Sequence, residues 1–173
     1  MQCNYANGVP LAAENNEKIF KTIFIDVGLA SASLGLKLNA LHNVQDINLV
    51  NRGGIAEQVA GQLLRTIEPF YIEPALYYWA REEKSASAEI DYLLNYNAMI
   101  LPVEVKSGST GSLKSLHLFS QLKHCALAVR IDSRVPSVTP IQMKTHTGNA
   151  SKYTLLSLPF YLIGQLYRLA GEL

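Results

Sequence analysis

The sequence predicts an α/β fold in which a mixed β-sheet is flanked by helices on both faces. Two β-rich runs, Glu89–Tyr96 and Met99–Lys106, are separated only by Asn97-Ala98, which favours an antiparallel hairpin. A helical pattern over residues 113–123 follows the hairpin and leads into another β-rich run at 125–131. Helical crossovers join parallel strands, so the hairpin and the crossover together indicate a mixed sheet.

The N-terminal region is polar and lacks a clear period. We therefore expect residues 1–18 to be loop, and we interpret residues 1–20 as a tail or remnant linker. The short apolar run at 21–26 fits either a strand or the start of a helix. Residues 21–173 are then one domain, which is long enough to enclose its own core.

The middle of the chain predicts helices followed by a strand. Helices are expected at 27–38, 41–49 and 55–67. The last has an apolar stripe made of Ile55, Val59, Leu63, Leu64 and Ile67. Residues 75–79 predict an aromatic strand, and the charged, Ser-rich stretch at 81–88 predicts a surface turn.

The C-terminal part predicts a helix, two strands and a final helix. Ser112 is expected to cap the helix that follows the hairpin. Residues 132–151 fit a loop, with an edge strand at 139–143 as the alternative. A short strand is expected at 153–156, and Pro159 suits the first turn of the last helix.

Composition limits the classes of function. The 173 residues include 15 Lys and Arg against 14 Asp and Glu, which argues against a protein that coats DNA non-specifically but leaves a small basic groove open. Cys3 and Cys125 have no metal-ligand spacing and are expected to be free thiols in a reducing cytoplasm. The chain has no apolar run of membrane-spanning length and no signal-peptide pattern, so we expect a cytoplasmic protein without a membrane partner.

Ionisable residues on the hairpin suggest a metal site. Side chains alternate faces along a strand, so Glu104 shares a face with Lys106, and Glu89 shares one with Asp91. A two-residue turn places Asp91 opposite Glu104, and Glu89 opposite Lys106, with which Glu89 is expected to form an ion pair. Opposite Cβ atoms lie roughly 5 Å apart, so two facing carboxylates require a proton or a cation. A divalent metal is the simplest such cation.

Five short motifs occur in order along the chain: Asp26-Val27-Gly28-Leu29, Gly54-Ile55-Ala56-Glu57, Tyr77-Tyr78-Trp79, Ala88-Glu89-Ile90-Asp91-Tyr92 and Val103-Glu104-Val105-Lys106-Ser107-Gly108. In this order they resemble the C-terminal domain of unknown function that follows the P-loop module in many prokaryotic AAA-type ATPases, and the resemblance extends from about Lys21 to Leu162. A helix bearing Glu57, a strand bearing Asp91 and a strand bearing Glu104-x-Lys106 also resemble the PD-(D/E)xK nuclease superfamily.

The resemblance implies a restriction-endonuclease-like core of α-β-β-β-α-β order. It also implies hydrolysis of nucleic acid, first of all DNA, with Mg²⁺ or Mn²⁺ as the cofactor. Asp91 and Glu104 would be metal ligands, and Glu57 would hold the metal directly or through water. Lys106 would orient or deprotonate the attacking water. Two acids and a lysine are sufficient in principle, because Mg²⁺ usually takes only one or two protein carboxylates.

Two departures from the pattern leave two hypotheses open. Ile90 stands where the superfamily's name has proline. The chain has no G-x-x-x-x-G-K-[ST] loop, so we expect no ATP hydrolysis, and the ATPase module implied as a partner is missing from this chain. One hypothesis is a metal-dependent nuclease or a nuclease-derived nucleic-acid-binding domain. The other is an inactive accessory domain that docks on an AAA-type ATPase module.

Other residues are candidates for nucleic-acid contact. Lys114 is expected to lie on a solvated face, with contact to a nucleic-acid phosphate as the alternative. Arg52 and Arg81 are similar candidates of lower weight. Tyr77-Tyr78-Trp79 fits stacking on bases, but packing in the core explains at least part of the run.

Overall fold

The structure is a computed structural model that describes residues 1–35, 52–83, 86–108, 111–144 and 150–173. Its strands are β1 (Gln2–Asn4), β2 (Asn15–Phe20), β3 (Tyr77–Glu83), β4 (Ala86–Tyr96), β5 (Met99–Val105), β6 (Leu127–Asp132), β7 (Ser137–Lys144) and β8 (Ala150–Pro159). The α-helices in these ranges are α1 (Val27–Ser33), α2 (Arg52–Leu64), α3 (Lys114–Lys123) and α4 (Leu166–Ala170), with 3₁₀ turns at Leu11–Glu14 and Phe160–Gln165.

The eight strands form one mixed sheet in the order β2-β1-β3-β4-β5-β6-β8-β7, which confirms the predicted α/β class. β3, β4 and β5 pair antiparallel, whereas β5, β6 and β8 run parallel. Helix α3 is the crossover between β5 and β6. The start of β4 and the carboxyl ends of β5 and β6 therefore meet at the same edge of the sheet, which is where ligands collect in such folds.

Two apolar clusters cover the two faces of the sheet. One contains Ala60 and Leu64 of α2, packed with Val103 and Val105 of β5. The other contains α3 residues Leu116 and Phe119, packed with strand residues that include Trp79, Ile90 and Leu155. Leu156 belongs to the first cluster and its neighbour Leu155 to the second, as expected for opposite faces. Helices thus lie on both faces, as the sequence predicted.

The hairpin has the predicted register. Asn97 and Ala98 adopt left-handed φ values of 46° and 60°, as a two-residue type I′ turn requires. Tyr96 pairs with Met99, and the register continues to Tyr92 opposite Val103.

A β-bulge in β4 breaks the simple alternation of side chains. On β3, Tyr77 and Trp79 are two residues apart, but their partners Leu93 and Ile90 are three apart. The extra residue lies at Asp91–Tyr92. As a result, Ile90 packs on the α3 face and Tyr92 packs on the α2 face, although the two have the same parity.

The prediction for the N-terminal region was wrong. Residues 1–18 were expected to be loop, but β1 lies within the sheet, antiparallel to β2 and parallel to β3. These strands have few apolar residues and no alternation, so only their pairing partners stabilise them as strands. Residues 21–26 form neither a strand nor a helix.

Several boundaries in the middle of the chain differ from the prediction. Helix α1 ends at Ser33, and the expected helix at 41–49 lies outside the described residues. Helix α2 begins and ends three residues earlier than expected. The surface turn expected at 81–88 was wrong, because β3 extends to Glu83 and β4 begins at Ala86. Polar residues tolerate strand structure there because one side of these strand ends faces solvent.

The C-terminal elements agree more closely. The alternative of an edge strand is confirmed by β7, and β8 is longer than predicted. Ser112 Oγ accepts a 3.3 Å hydrogen bond from Lys114 N, although Leu113 occupies the N-cap position. Pro159 precedes a 3₁₀ turn, and α4 follows that turn.

Two features of the described ranges concern the cysteines and the lengths of the helices. Cys3 and Cys125 are free thiols. The longest helix described has 13 residues, and none combines the length and apolar character needed to cross a membrane.

Candidate metal centre

Helix α2 and strand β4 bring three carboxyl groups together. Glu57 comes from α2, and Glu89 and Asp91 come from β4. One oxygen from each lies within 4.8 Å of the other two. Two oxygens bound to one Mg²⁺ ion, each at about 2.1 Å, are at most about 4.2 Å apart. The three carboxyl oxygens could therefore bind one ion together after small movements of their side chains.

Asp91 is fixed at the level of the sheet. Its Oδ2 accepts a 2.7 Å hydrogen bond from the backbone N–H of Val105 on β5. Backbone N–H groups point along the sheet, so this carboxyl group lies between the two faces. Burial raises the pKa of Asp91 to about 8, and the charges of Glu104 and Glu57 add to this effect. The hydrogen bond from Val105 and the charge of Lys106 act in the opposite direction.

Glu104 lies next to this group and is paired with Lys106. Lys106 Nζ is 2.5 Å from Glu104 Oε1. The other oxygen, Oε2, is buried and has no hydrogen-bond partner among the described residues. Burial raises the pKa of Glu104, although Lys106 opposes the shift. A buried acceptor without a partner is costly, so this oxygen would gain from a nearby cation or donor.

Glu57 is positioned by a close contact between α2 and β4. The hydroxyl of Tyr92 donates a 2.6 Å hydrogen bond to the backbone oxygen of Glu57. Gly61 makes this approach possible, because a Cβ there would lie only 2.6 Å from the Tyr92 hydroxyl. Burial also raises the pKa of the Glu57 carboxyl group, against the opposing charge of Lys21.

Glu89 pairs with Lys21 and not with Lys106, so the expected cross-strand ion pair was wrong. Lys21 also lies over the ring of Tyr78, 4.9 Å from its centre. Its backbone N donates a 2.9 Å hydrogen bond to Met1 O, which ties Lys21 to the start of β1. The N-terminal region therefore supplies a cation to the acidic group.

The charges of this region do not balance. In the part of the chain that the structure describes, four carboxyl groups lie here, and the ammonium groups that act on them are those of Lys21 and Lys106. If all four acids are ionised, two negative charges remain. A divalent cation would offset that excess. Without it, burial and the neighbouring acids raise the pKa of Asp91 to about 8, so this carboxyl group keeps its proton near neutral pH.

The structure brings the predicted residues together in part. Glu57 and Asp91 are close, and Glu104 and Lys106 form an adjacent pair, but the group within 4.8 Å contains Glu89 in place of Glu104. Regular alternation turns Glu104 away from Val103 and Val105, towards the α3 face. The shared face of Glu89 and Asp91 was visible in the sequence, but no signal identified Lys21.

The predicted basic residues differ in how they lie relative to the acidic group. Lys114 is exposed at the start of α3. Arg52 is the first residue of α2, and the structure describes its backbone but not its side chain. Arg81 is half-buried and lines a surface groove that includes Glu89 and Ser115. Tyr77, Tyr78 and Trp79 are all buried, so core packing is the confirmed interpretation for that run.

The fold and the site define an α/β domain with an acidic cluster at one edge of its sheet. A family model described as "Domain of unknown function (DUF4143)" matches residues 52–145, more than half of the chain. The chain belongs to this family. The matched region contains Glu57, Asp91, Glu104 and Lys106. Searches of curated proteins and of solved structures found no match.

Proposed function

We propose that this domain is a metal-dependent nuclease of the PD-(D/E)xK kind, or a nucleic-acid-binding domain derived from one. The proposal depends most on one observation: three carboxyl oxygens lie within 4.8 Å of one another, beside the Glu104–Lys106 pair. The order of elements supports it, because α2, β3, β4, β5, α3 and β6 follow the α-β-β-β-α-β order of a restriction-endonuclease-like core.

The residues fit Mg²⁺ or Mn²⁺. Glu57, Glu89 and Asp91 would hold the ion, and the unpartnered Oε2 of Glu104 would approach it directly or through water. All of these donors are carboxylates, the oxygen ligands that hard cations prefer. When bound, such an ion polarises a phosphoryl oxygen and lowers the pKa of its water.

The protein's own groups would position the reactants. The Lys106 ammonium, held by Glu104, would orient the attacking water and offset negative charge at the phosphate. Glu89 is already paired with Lys21, which limits its repulsion of the substrate. Asp91, with a pKa raised to about 8, holds a proton near neutral pH and would release it when a cation approaches. The expected substrate is DNA.

The second candidate is an inactive accessory domain that docks on an AAA-type ATPase module. The Glu104–Lys106 ion pair favours it, because these buried charges compensate each other without any ligand. The two candidates differ in the task of Lys106: catalysis requires its ammonium beside the reacting phosphate, whereas a structural role requires only charge balance.

Metal binding is tested by calorimetry with Mn²⁺. We expect Asp91→Ala and Glu104→Ala to weaken binding at least about tenfold, as losses around metal ligands usually do. Glu172→Gln is the matched control, because Glu172 pairs with Arg168 at the exposed C-terminal end of the chain. Wild-type affinity in both alanine variants would reject the metal site.

Catalysis is tested with plasmid and single-stranded DNA in Mg²⁺ or Mn²⁺. We expect cleavage by the wild type and none by Lys106→Ala. Lys152→Ala is the control, because Lys152 is an exposed lysine on β8. A pure wild-type protein that binds metal but cleaves neither substrate would support the accessory domain.

A further inference from the structure

A second charged group lies beside Lys106 on the neighbouring strand. β5 and β6 are parallel, with Glu104 paired to Arg130 and Val105 to Ile131. Lys106 N donates a 2.8 Å hydrogen bond to Ile131 O, so the same register places Lys106 next to Asp132. Neighbouring positions on paired strands lie about 4.8 Å apart and face the same side. Asp132 is therefore the next group along this edge.

Asp132 is buried and forms ion pairs with two arginines, Arg130 and Arg134. Its side chain is 1% exposed. Oδ1 accepts a 3.0 Å hydrogen bond from Arg134 N, and Oδ2 is 2.7 Å from both Nε and Nη2 of Arg134. Arg130 Nε is 2.9 Å from Oδ2. Two guanidinium groups surround one carboxylate, so the group carries an excess positive charge.

The two arginines differ in access. Arg130 is 13% exposed and also binds Ser157 Oγ at 2.8 Å, so it belongs to the interior. Arg134 is 41% exposed, and its Nη1 contacts no acceptor among the described residues. Asp132 thus fixes one edge of the Arg134 guanidinium, and among the described residues no acceptor contacts Nη1 on the other edge. A planar, fixed guanidinium of this kind is suited to phosphate.

We infer that Arg134 binds a backbone phosphate of the nucleic-acid strand, next to the phosphate that Lys106 faces. Asp132 is the positioning residue, because it orients the guanidinium before the strand arrives. The inference rests on the proposed function and extends it: the strand would run along the sheet edge from β4 past β5 to β6. Arg134 would contribute affinity without sequence preference, as phosphate contacts do.

The competing explanation is a local ion pair that stabilises the turn after β6. That role would change stability but not nucleic-acid affinity. The test is fluorescence anisotropy of labelled single-stranded and duplex DNA, with Ca²⁺ replacing Mg²⁺ and intact DNA verified on a gel. The variants are Arg134→Ala and Arg134→Lys. Arg168→Ala is the control, because Arg168 is a 58% exposed, ion-paired arginine on α4.

We expect Arg134→Ala to weaken binding about three- to tenfold and to reduce the slope of log affinity against log salt by about one. Arg134→Lys keeps the positive charge, so the slope of log affinity against log salt should stay that of the wild type. Its affinity for DNA should fall, but less than that of Arg134→Ala. Arg168→Ala should bind as the wild type does. Mn²⁺ affinity should be unchanged in both Arg134 variants, because Arg134 is not part of the acidic group.

The outcomes separate this inference from the proposed function. DNA binding by the wild type with equal affinity and salt slope in both Arg134 variants would overturn the inference and leave the nuclease proposal standing. Binding of Mn²⁺ but of no DNA by the wild type would reject both. If Arg134→Ala does not fold, Arg134→Lys still distinguishes the two explanations. A purely local ion pair predicts that Arg134→Lys binds DNA with wild-type affinity, whereas a phosphate contact predicts weaker binding.

Discussion

The backbone N–H of Val105 donates a 2.7 Å hydrogen bond to Oδ2 of Asp91, across the β4–β5 pair. This bond holds the carboxyl group at the point where the bulge gives β4 its extra residue. It partly stabilises the charged form, but burial and neighbouring acids outweigh it and raise the pKa of Asp91 to about 8. Asp91 is therefore held in place for a cation and is costly to ionise without one.

The first prediction concerns pH. With a chelator present, stability should fall as pH rises from about 4 to about 8, because the pKa of Asp91 is about 8 when folded and about 3.9 when unfolded. The folded state then binds more protons, and the slope for one such group is at most about 1.4 kcal/mol per pH unit. Glu57 and Glu104 have raised pKa values and act in the same direction.

Thermal unfolding in EDTA across this pH range measures the effect. Asp91→Asn should flatten the profile, whereas Glu172→Gln, at an exposed ion pair, should not. Parallel profiles for the wild type and Asp91→Asn would contradict the assignment of this proton to Asp91.

The second prediction concerns Tyr92. Tyr92→Phe removes the 2.6 Å hydrogen bond to Glu57 O while keeping the buried ring. We expect a loss of about 0.5–1.5 kcal/mol in the free energy of unfolding, together with weaker Mn²⁺ binding as α2 loosens. Denaturant unfolding and calorimetry measure these effects. Tyr161→Phe is the control, since Tyr161 is 78% exposed, and equal effects of the two substitutions would argue against this role of Tyr92.

The third prediction compares two glycines of α2. Alanine is the better helix former by about 1 kcal/mol, so Gly54→Ala should stabilise the protein, because a Cβ there meets nothing within 4 Å. Gly61→Ala should destabilise it by about 1–3 kcal/mol, because its Cβ would lie 2.6 Å from the buried Tyr92 hydroxyl. Denaturant unfolding gives both values, and stabilisation by both substitutions would refute the close contact of α2 with β4.

The fourth prediction concerns the position of Lys106. Gly111 has φ of +145°, and a Cβ there would lie 2.7 Å from Lys106 Cδ. Gly111→Ala should therefore displace the ammonium without removing its charge, and DNA cleavage should fall at least about tenfold, since small displacements of catalytic groups are costly. Mn²⁺ affinity should change little. Gly108→Ala, with open space around it, should retain activity; similar loss in both variants would mean that loop flexibility is responsible.

Local patterns made the hairpin predictable. The two-residue connection at Asn97 and Ala98 and the alternation of the strands are properties of neighbouring residues, and they determine the register. The bulge was not predictable, because it arises from the pairing of β4 with β3 and has no glycine to mark it. The bulge also changes the acidic group. The sequence analysis placed Asp91 opposite Glu104 by assuming that side chains alternate regularly along β4, and the bulge interrupts that alternation.

The N-terminal contribution to the site was missed for a different reason. Lys21 reaches Glu89 only because β1 lies beside β3, and that pairing joins residues more than seventy positions apart. β1 has three residues, too few to show a period. The position of Glu57 was easier to anticipate, since it follows from the apolar stripe of one helix.

The bulge also makes β4 sensitive to length. Loop tips usually tolerate single-residue insertions and deletions, but a deletion between Ile90 and Leu93 would straighten β4 against β3. Ile90 and Leu93 would then be two positions apart, so both would stay in the α3 core and keep their partners on β3. The residue lost would be Asp91, which accepts the hydrogen bond from Val105 N, or Tyr92, which donates one to Glu57 O. One codon lost here would leave the core of the strand in place and remove a side chain on which the acidic group depends.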